Sequence, residues 1–311
     1  MSAGGEVQRR PGVVDRPPRA DVLLMTVGLV AVSTSGPLMA AIAAPALAVA
    51  LWRNVLGVAV IAPFALATRR RELREMTARE RRWALGSGLL LAAHFATWVP
   101  SLRFTSVASA TAIVATQPVW VALIARASGH AVPRRAWLGM GISVVAVILL
   151  TGVDFSLDPR ALVGDLLALL GGVFAALYTV VGAEVRRTVS TTSYTTICYS
   201  TAAVALLAGC LVGRVDLWGY DGRTWLQLLA LTLGAQLLGH SVFNLVLRTT
   251  SPTVASLFLL LEVPGAAVIA AVALGQVPPL AAVPAGLLLL VGLGIVVYAR
   301  PDDVDPAIPA E

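Results

Sequence analysis

Inside long apolar stretches the chain sets a few side chains able to do chemistry: Arg53 and Asn54 in "LWRNVLG", His94 and Trp98 in "AAHFATWVP", Gln117 in "ATQPVW", Tyr178 in "AALYTVV", His240 and Asn244 in "GHSVFNL", and Glu262 in "LLLEVPGAA". A carboxylate can exchange a proton or hold a cation, a guanidinium can hold an anion, and an imidazole titrates near neutral pH. Glu262 is the tenth residue of the 22-residue stretch 253–274. An acid at such a depth in a bilayer costs roughly 2.5–3.5 kcal/mol on insertion scales. A polar cavity, an ion pair with Arg53 or a bound proton would each offset that cost. Two readings therefore stand for Glu262 and Arg53: a site for substrate or a coupling proton, or a structural ion pair or hydrogen-bond cap.

The other polar groups divide in the same way. Asn54 and Asn244 are cavity candidates because lipid would leave their amides unpaired. His94 and His240 suit either a proton relay or an ordinary contact between helices. Trp98 and Tyr178, with Trp52, Trp120 and Phe243, either line an amphipathic pocket or pack in the bundle. Pro118 and Pro264 lie one and two residues after Gln117 and Glu262, and each deprives a carbonyl, of Val114 and Leu260, of its helical N–H. Broken backbone at membrane depth is tolerated only where protein or a water-filled cavity satisfies it. Two kinked helices lining a central cavity are the expectation. Enzyme signatures are missing: there is no Lys for a Walker A loop or Schiff base, no H-E-x-x-H and no G-x-S-x-G. No catalytic residue, metal ligand or cofactor is expected.

Composition supplies the setting. Of 311 residues, 58% are hydrophobic and 13% charged, against about 25% charged in soluble domains. A span takes roughly 20 apolar residues, and ten such segments are centred near Leu29, Val58, Leu91, Val114, Val145, Leu170, Val204, Leu231, Leu259 and Leu289. All 23 basic residues are Arg. Eighteen of them fall on one set of alternate sides of the ten spans, with seven in the connection 69–82, whereas the other side has four. Cytoplasmic loops carry the basic excess, so both termini are expected in the cytoplasm. The net charge of +6 is accounted for by this topology and by anionic lipid, and nucleic acid is not an expected partner. Trp83, Trp137, Trp218 and Trp225 sit at expected span ends, as an aromatic belt would. The first run, 22–44, is longer than a secretory signal core of about 7–15 residues and is kept as a span. Cys198 and Cys210 share the seventh span, roughly 18 Å apart along one helix, too far to bridge.

The chain repeats itself. "LRFTS" at 102–106 returns as "LRTTS" at 247–251, an offset of 145 that also carries Gln117 onto Glu262; "DVLLMTVGLVA" returns at 144 as "DLLALLGGVFA". Two halves of five spans follow, 21–152 and 161–299, flanked by tails 1–20 and 300–311. Because five is odd, the second half lies upside down relative to the first, a recurring build of secondary transporters with the site at the repeat interface near the midplane.

These elements resemble the EamA-like family of the drug/metabolite transporter superfamily. The resemblance rests on "LWRNVLG" with Arg53, "SVASATAIVATQPVW" with Pro118, "GDLLALLGGVFAALY" and "SPTVASLFLLLEVPGAA" in that layout. "EVP" replaces an adjacent Glu-Pro, and the seventh span has no Arg to match Arg53. The resemblance implies an all-α protein of ten transmembrane helices in two inverted repeats, in the plasma (inner) membrane. It implies a small-molecule substrate, an amino acid or similar metabolite, exported by alternating access. Proton coupling rests on Glu262. A membrane enzyme or scaffold is the alternative class, and oligomeric state is open.

Overall fold

The computed structural model describes residues 18–129, 131–239, 242, 246 and 258–298. Among them every regular element is helical, and each of the ten expected span centres falls in a helix. The first repeat holds α1 (Arg19–Ser33), α2 (Ser35–Ala41), α3 (Ala46–Thr68), α4 (Arg70–Glu75), α5 (Ala78–Ser101), α6 (Val107–Val114), α7 (Gln117–Ala127) and α8 (Arg134–Leu157). The second holds α9 (Ala161–Val185), α10 (Thr191–Val212), α11 (Gly222–Ala230), a π-helical segment Leu231–Gly239, α12 (Glu262–Leu274) and α13 (Ala282–Tyr298). Five continuous or near-continuous helices are long and apolar enough to cross a membrane: Arg19–Ala41, Ala46–Thr68, Val107–Ala127, Ala161–Val185 and Thr191–Val212.

Local chemistry sets the ends. Thr77 and Glu80 form a reciprocal capping box at the start of α5, and Ser106, Ser190 and Asp221 accept backbone N–H bonds at the starts of α6, α10 and α11. Gly275, at φ 68°, ends α12 in the left-handed conformation that glycine adopts at least cost. The structure departs from the simplest sequence reading in three places. The first span is divided at Thr34; the arginine-rich connection folds into α4 and the first turn of α5; and the eighth span is partly π-wound.

Packing relates the two repeats by exchange. If α1, α3, α5, α6 and α8 are paired with α9, α10, the π-helical segment, α12 and α13, then the contact of α5 with α9 has its counterpart in α1 with the π-helical segment. Likewise α6 with α9 matches α1 with α12, and α5 with α10 matches α3 with the π-helical segment. The contacts of α3 with α10, α6 with α12 and α8 with α13 map onto themselves. Such self-mapping is what a two-fold axis between like units produces. The α8–α13 crossing is close enough that a Cβ on Gly139 would lie 2.6 Å from the Gly292 carbonyl oxygen, the small-residue contact that membrane helices use in place of a hydrophobic driving force. Outward faces carry exposed Val30, Phe64, Leu138, Ile148, Val204 and Leu287, which a lipid-facing surface accommodates.

Two clasps join the repeats at opposite ends of α10, a helix roughly 33 Å long. At its N-terminal end the Glu72 carboxylate accepts bonds from the Ser190 amide (2.6 Å), the Ser190 hydroxyl (2.7 Å) and the Ser193 hydroxyl (2.9 Å), while Glu80 accepts from the Thr188 hydroxyl (2.6 Å). Just past its C-terminal end, Trp52 Nε1–H donates to the Leu217 carbonyl at 3.0 Å, and the Trp52 ring meets Trp218 and Trp225 edge-on at 4.7 and 4.9 Å. Partial burial pushes the Glu72 carboxyl up, but the three donors and nearby Arg69 outweigh it and hold the group below the usual carboxylate range. A folded-state pKa below the unfolded one stabilises the fold above the unfolded pKa and ceases to do so as pH falls through the folded value. Glu72→Gln should therefore flatten the acid limb of thermal stability below about pH 5, near the ordinary carboxylate pKa, measured by melting the purified protein across pH; an unchanged acid limb would show that the clasp contributes nothing.

Candidate functional site

The fourth span is two helices rather than one kinked helix. α6 stops at Val114, α7 starts at Gln117, and Pro118 sits in the first turn of α7, where its missing N–H has no helical acceptor to lose. Thr116 stabilises the break: its hydroxyl donates to the Ile113 carbonyl at 2.7 Å and accepts from Trp120 Nε1 at 3.2 Å. The ninth span repeats the arrangement. A turn at Leu261 separates the short helical stretch 258–260 from α12, Glu262 opens α12, and Pro264 lies in its first turn. Gln117 and Glu262 thus occupy equivalent first positions of two half-helices, at the positively polarised end where a negative group is favoured.

Both side chains line one cavity of about 450 Å³, as do Arg53, His94, Trp98 and Tyr178. Residues from both repeats form its wall. Arg53 is 2% exposed. Its Nε donates to Gln236 Oε1 at 2.8 Å, its Nη1 lies 3.2 Å from Met39 Sδ, and its guanidinium carbon stands 4.2 Å over the Phe95 ring. Glu262 is half-buried, and among the described residues no hydrogen bond or ion pair holds its carboxylate; the two charges act on one another across the cavity without closing to ion-pair distance. Gln117 Nε2 donates to Thr179 Oγ1 at 2.6 Å. His94 Nδ1 is 2.9 Å from the Gly171 carbonyl; a carbonyl only accepts, so Nδ1 carries the proton. Ser87 and Tyr194 join hydroxyls at 2.6 Å beside the cavity's Thr191 end.

Other expected residues lie elsewhere. Asn54 is fully buried but is not part of the cavity wall; its Nδ2 donates to the Ala50 carbonyl one turn back in its own helix, and its Oδ1 has no hydrogen-bond partner among the described residues. Trp52 belongs to the tryptophan clasp and Trp120 to the Thr116 break, so neither walls the cavity. His240, Asn244 and Phe243 lie outside the described residues. Sequence reasoning missed Gln236, although the rule that singled out Glu262, a polar group in an apolar stretch, applies equally to it. Met39 and Phe95 gave no signal, being apolar residues in apolar spans.

The family model of the EamA-like transporter family matches residues 20–152 and, a second time, 162–298. The chain belongs to this family. It is also 24% identical over 196 residues to an uncharacterized transporter of Archaeoglobus fulgidus, covering 62% of this chain and 68% of that protein. A crystal structure of a protein with 19% sequence identity shares the fold at a TM-score of 0.63, covering 89% of this chain and 96% of the other. As an EamA-like chain it is a membrane transporter, and the double match makes it two copies of one unit. The cavity of this EamA-like protein offers separate positive and negative poles between aromatic walls.

Because Asn54 holds an unsatisfied buried acceptor away from the cavity, Asn54→Leu should leave the melting temperature unchanged or raised, since removing an unpaired buried polar atom is neutral to favourable. A fall of several degrees in the purified protein would overturn that placement.

Proposed function

We propose that this protein is a secondary active transporter that exports a small polar metabolite, an amino acid or a similar zwitterion, from the cytoplasm across the plasma (inner) membrane. Ten spans form two inverted five-helix repeats with both termini in the cytoplasm, and the repeats rock about the cavity to expose it to each side in turn. The observation that carries this reading is that Arg53 and Glu262 share one cavity without being paired to each other. A structural ion pair would have closed the distance. A zwitterion fits two such poles: its carboxylate meets the guanidinium, its ammonium the carboxylate, and the aromatic walls take an apolar side chain. The exchange of helix contacts between repeats supports the inverted arrangement, and the arginine distribution supports the orientation. Glu262 is also the group placed to carry a coupling proton, since it is the acid at the cavity with no fixed partner among the described residues.

Proteoliposomes loaded with a panel of labelled amino acids and related metabolites test the reading. Wild-type protein should release at least one of them, faster under a proton gradient. Glu262→Gln and Glu262→Ala should lower that flux roughly tenfold or more, the scale of removing an interaction with a charged group, at unchanged membrane abundance. Loss of abundance with both variants would support the structural role instead, and wild-type flux indifferent to pH would reject proton coupling.

A further inference from the structure

A buried guanidinium facing, across a cavity, a carboxylate that no described residue pairs is drawn towards it, because the attraction grows as the dielectric falls. Here the two stay apart, and the groups that hold Arg53 back are all neutral. Gln236 accepts from Nε at 2.8 Å, Met39 Sδ lies 3.2 Å from Nη1, and Phe95 presents its face 4.2 Å from the guanidinium carbon. A neutral amide acceptor and an aromatic face stabilise a cation without cancelling its charge. Two features of the fold fix the placement of Gln236. Its helix is π-wound over Leu231–Gly239, a winding that recurs at functional sites and re-aims the side chains it carries. On the facing helix, position 57 is glycine, where a Cβ would lie 2.8 Å from Gln236 Nε2.

We propose that Gln236 is a positioning residue: it anchors Arg53 away from Glu262, so that both poles of the cavity stay open to a ligand. The role rests on the transport reading above, but its geometry can be tested without transport. Gln236→Met keeps size and loses the acceptor, which frees Arg53 to reach Glu262. Gln236→Glu keeps the acceptor and the length but turns the anchor into a counter-ion, cancelling the positive pole while leaving Arg53 in place.

The geometric arm labels Glu262 in the purified full-length protein with a hydrophobic carbodiimide, which modifies protonated, unpaired carboxyls, and quantifies the Glu262 peptide by mass spectrometry. Labelling should fall several-fold in Gln236→Met, and removing the guanidinium as well, in Gln236→Met with Arg53→Met, should restore it. Equal labelling of wild type and Gln236→Met would overturn the proposal. The flux arm uses whichever labelled amino acid the wild type carries. Gln236→Glu should raise KM for it at least roughly tenfold, the scale of removing one charge-assisted hydrogen bond, with kcat changed less; an unchanged KM would overturn the proposal. Absence of any wild-type flux, with the labelling pattern as expected, would instead count against the transport reading alone.

Discussion

Two opposite charges in a poorly solvated space attract strongly, and the central constraint on this fold is that Arg53 and Glu262 sit on one cavity without meeting. Each charge needs a separate source of stabilisation. For Arg53 it is the Gln236 amide, the Met39 sulfur and the Phe95 ring. For Glu262 it is the start of a helix, where unsatisfied N–H groups favour negative charge. Neither source ties up the group it serves, so among the described residues the guanidinium and the carboxyl both stay open to the cavity.

The rest of the architecture follows from placing those sources at one depth. A helix can begin in mid-span only if the span is interrupted, and Pro118 and Pro264 lie in the first turns of the helices that Gln117 and Glu262 open, where a missing N–H costs no helical bond. Where the chain breaks, freed backbone groups need neighbours. A Cβ on Gly172 of α9 would lie 3.3 Å from the Val114 carbonyl, so that helix comes close against the break. Internal duplication then yields two such half-helices converging from opposite repeats, one headed by a neutral amide, Gln117, and one by an acid.

How much of this was legible depended on contrast. Arg53, Gln117 and Glu262 stood out because a polar residue in an apolar stretch is costly and therefore informative, and the duplication was legible because the offset of 145 recurs in several short strings. The cradle of Arg53 was not, since Met39 and Phe95 do not differ from their neighbours in kind and only the fold brings them to the guanidinium. Asn54 was misplaced by the same logic that found Glu262: an amide can turn back to a carbonyl of its own helix, as Asn54 does to Ala50, and then it needs no cavity. The break at Thr34 carries a local signal that hydrophobic periodicity does not register, Gly36 and Pro37 just beyond it, and the π-winding over Leu231–Gly239 has none in that periodicity.

The two clasps occupy matching positions in the duplicated chain: Glu72 and Leu217 are 145 residues apart, and so are Glu80 and Trp225. Their chemistry is unlike, with hydroxyls on carboxylates at one rim and indole rings on indole rings at the other. An arrangement symmetric in geometry is thus asymmetric in free energy. Ring-on-ring burial strengthens on warming, whereas carboxylate bonds answer to acidity, so the rims are governed by different physical variables. The two rims therefore respond separately to temperature and to pH, even though both halves match one family model.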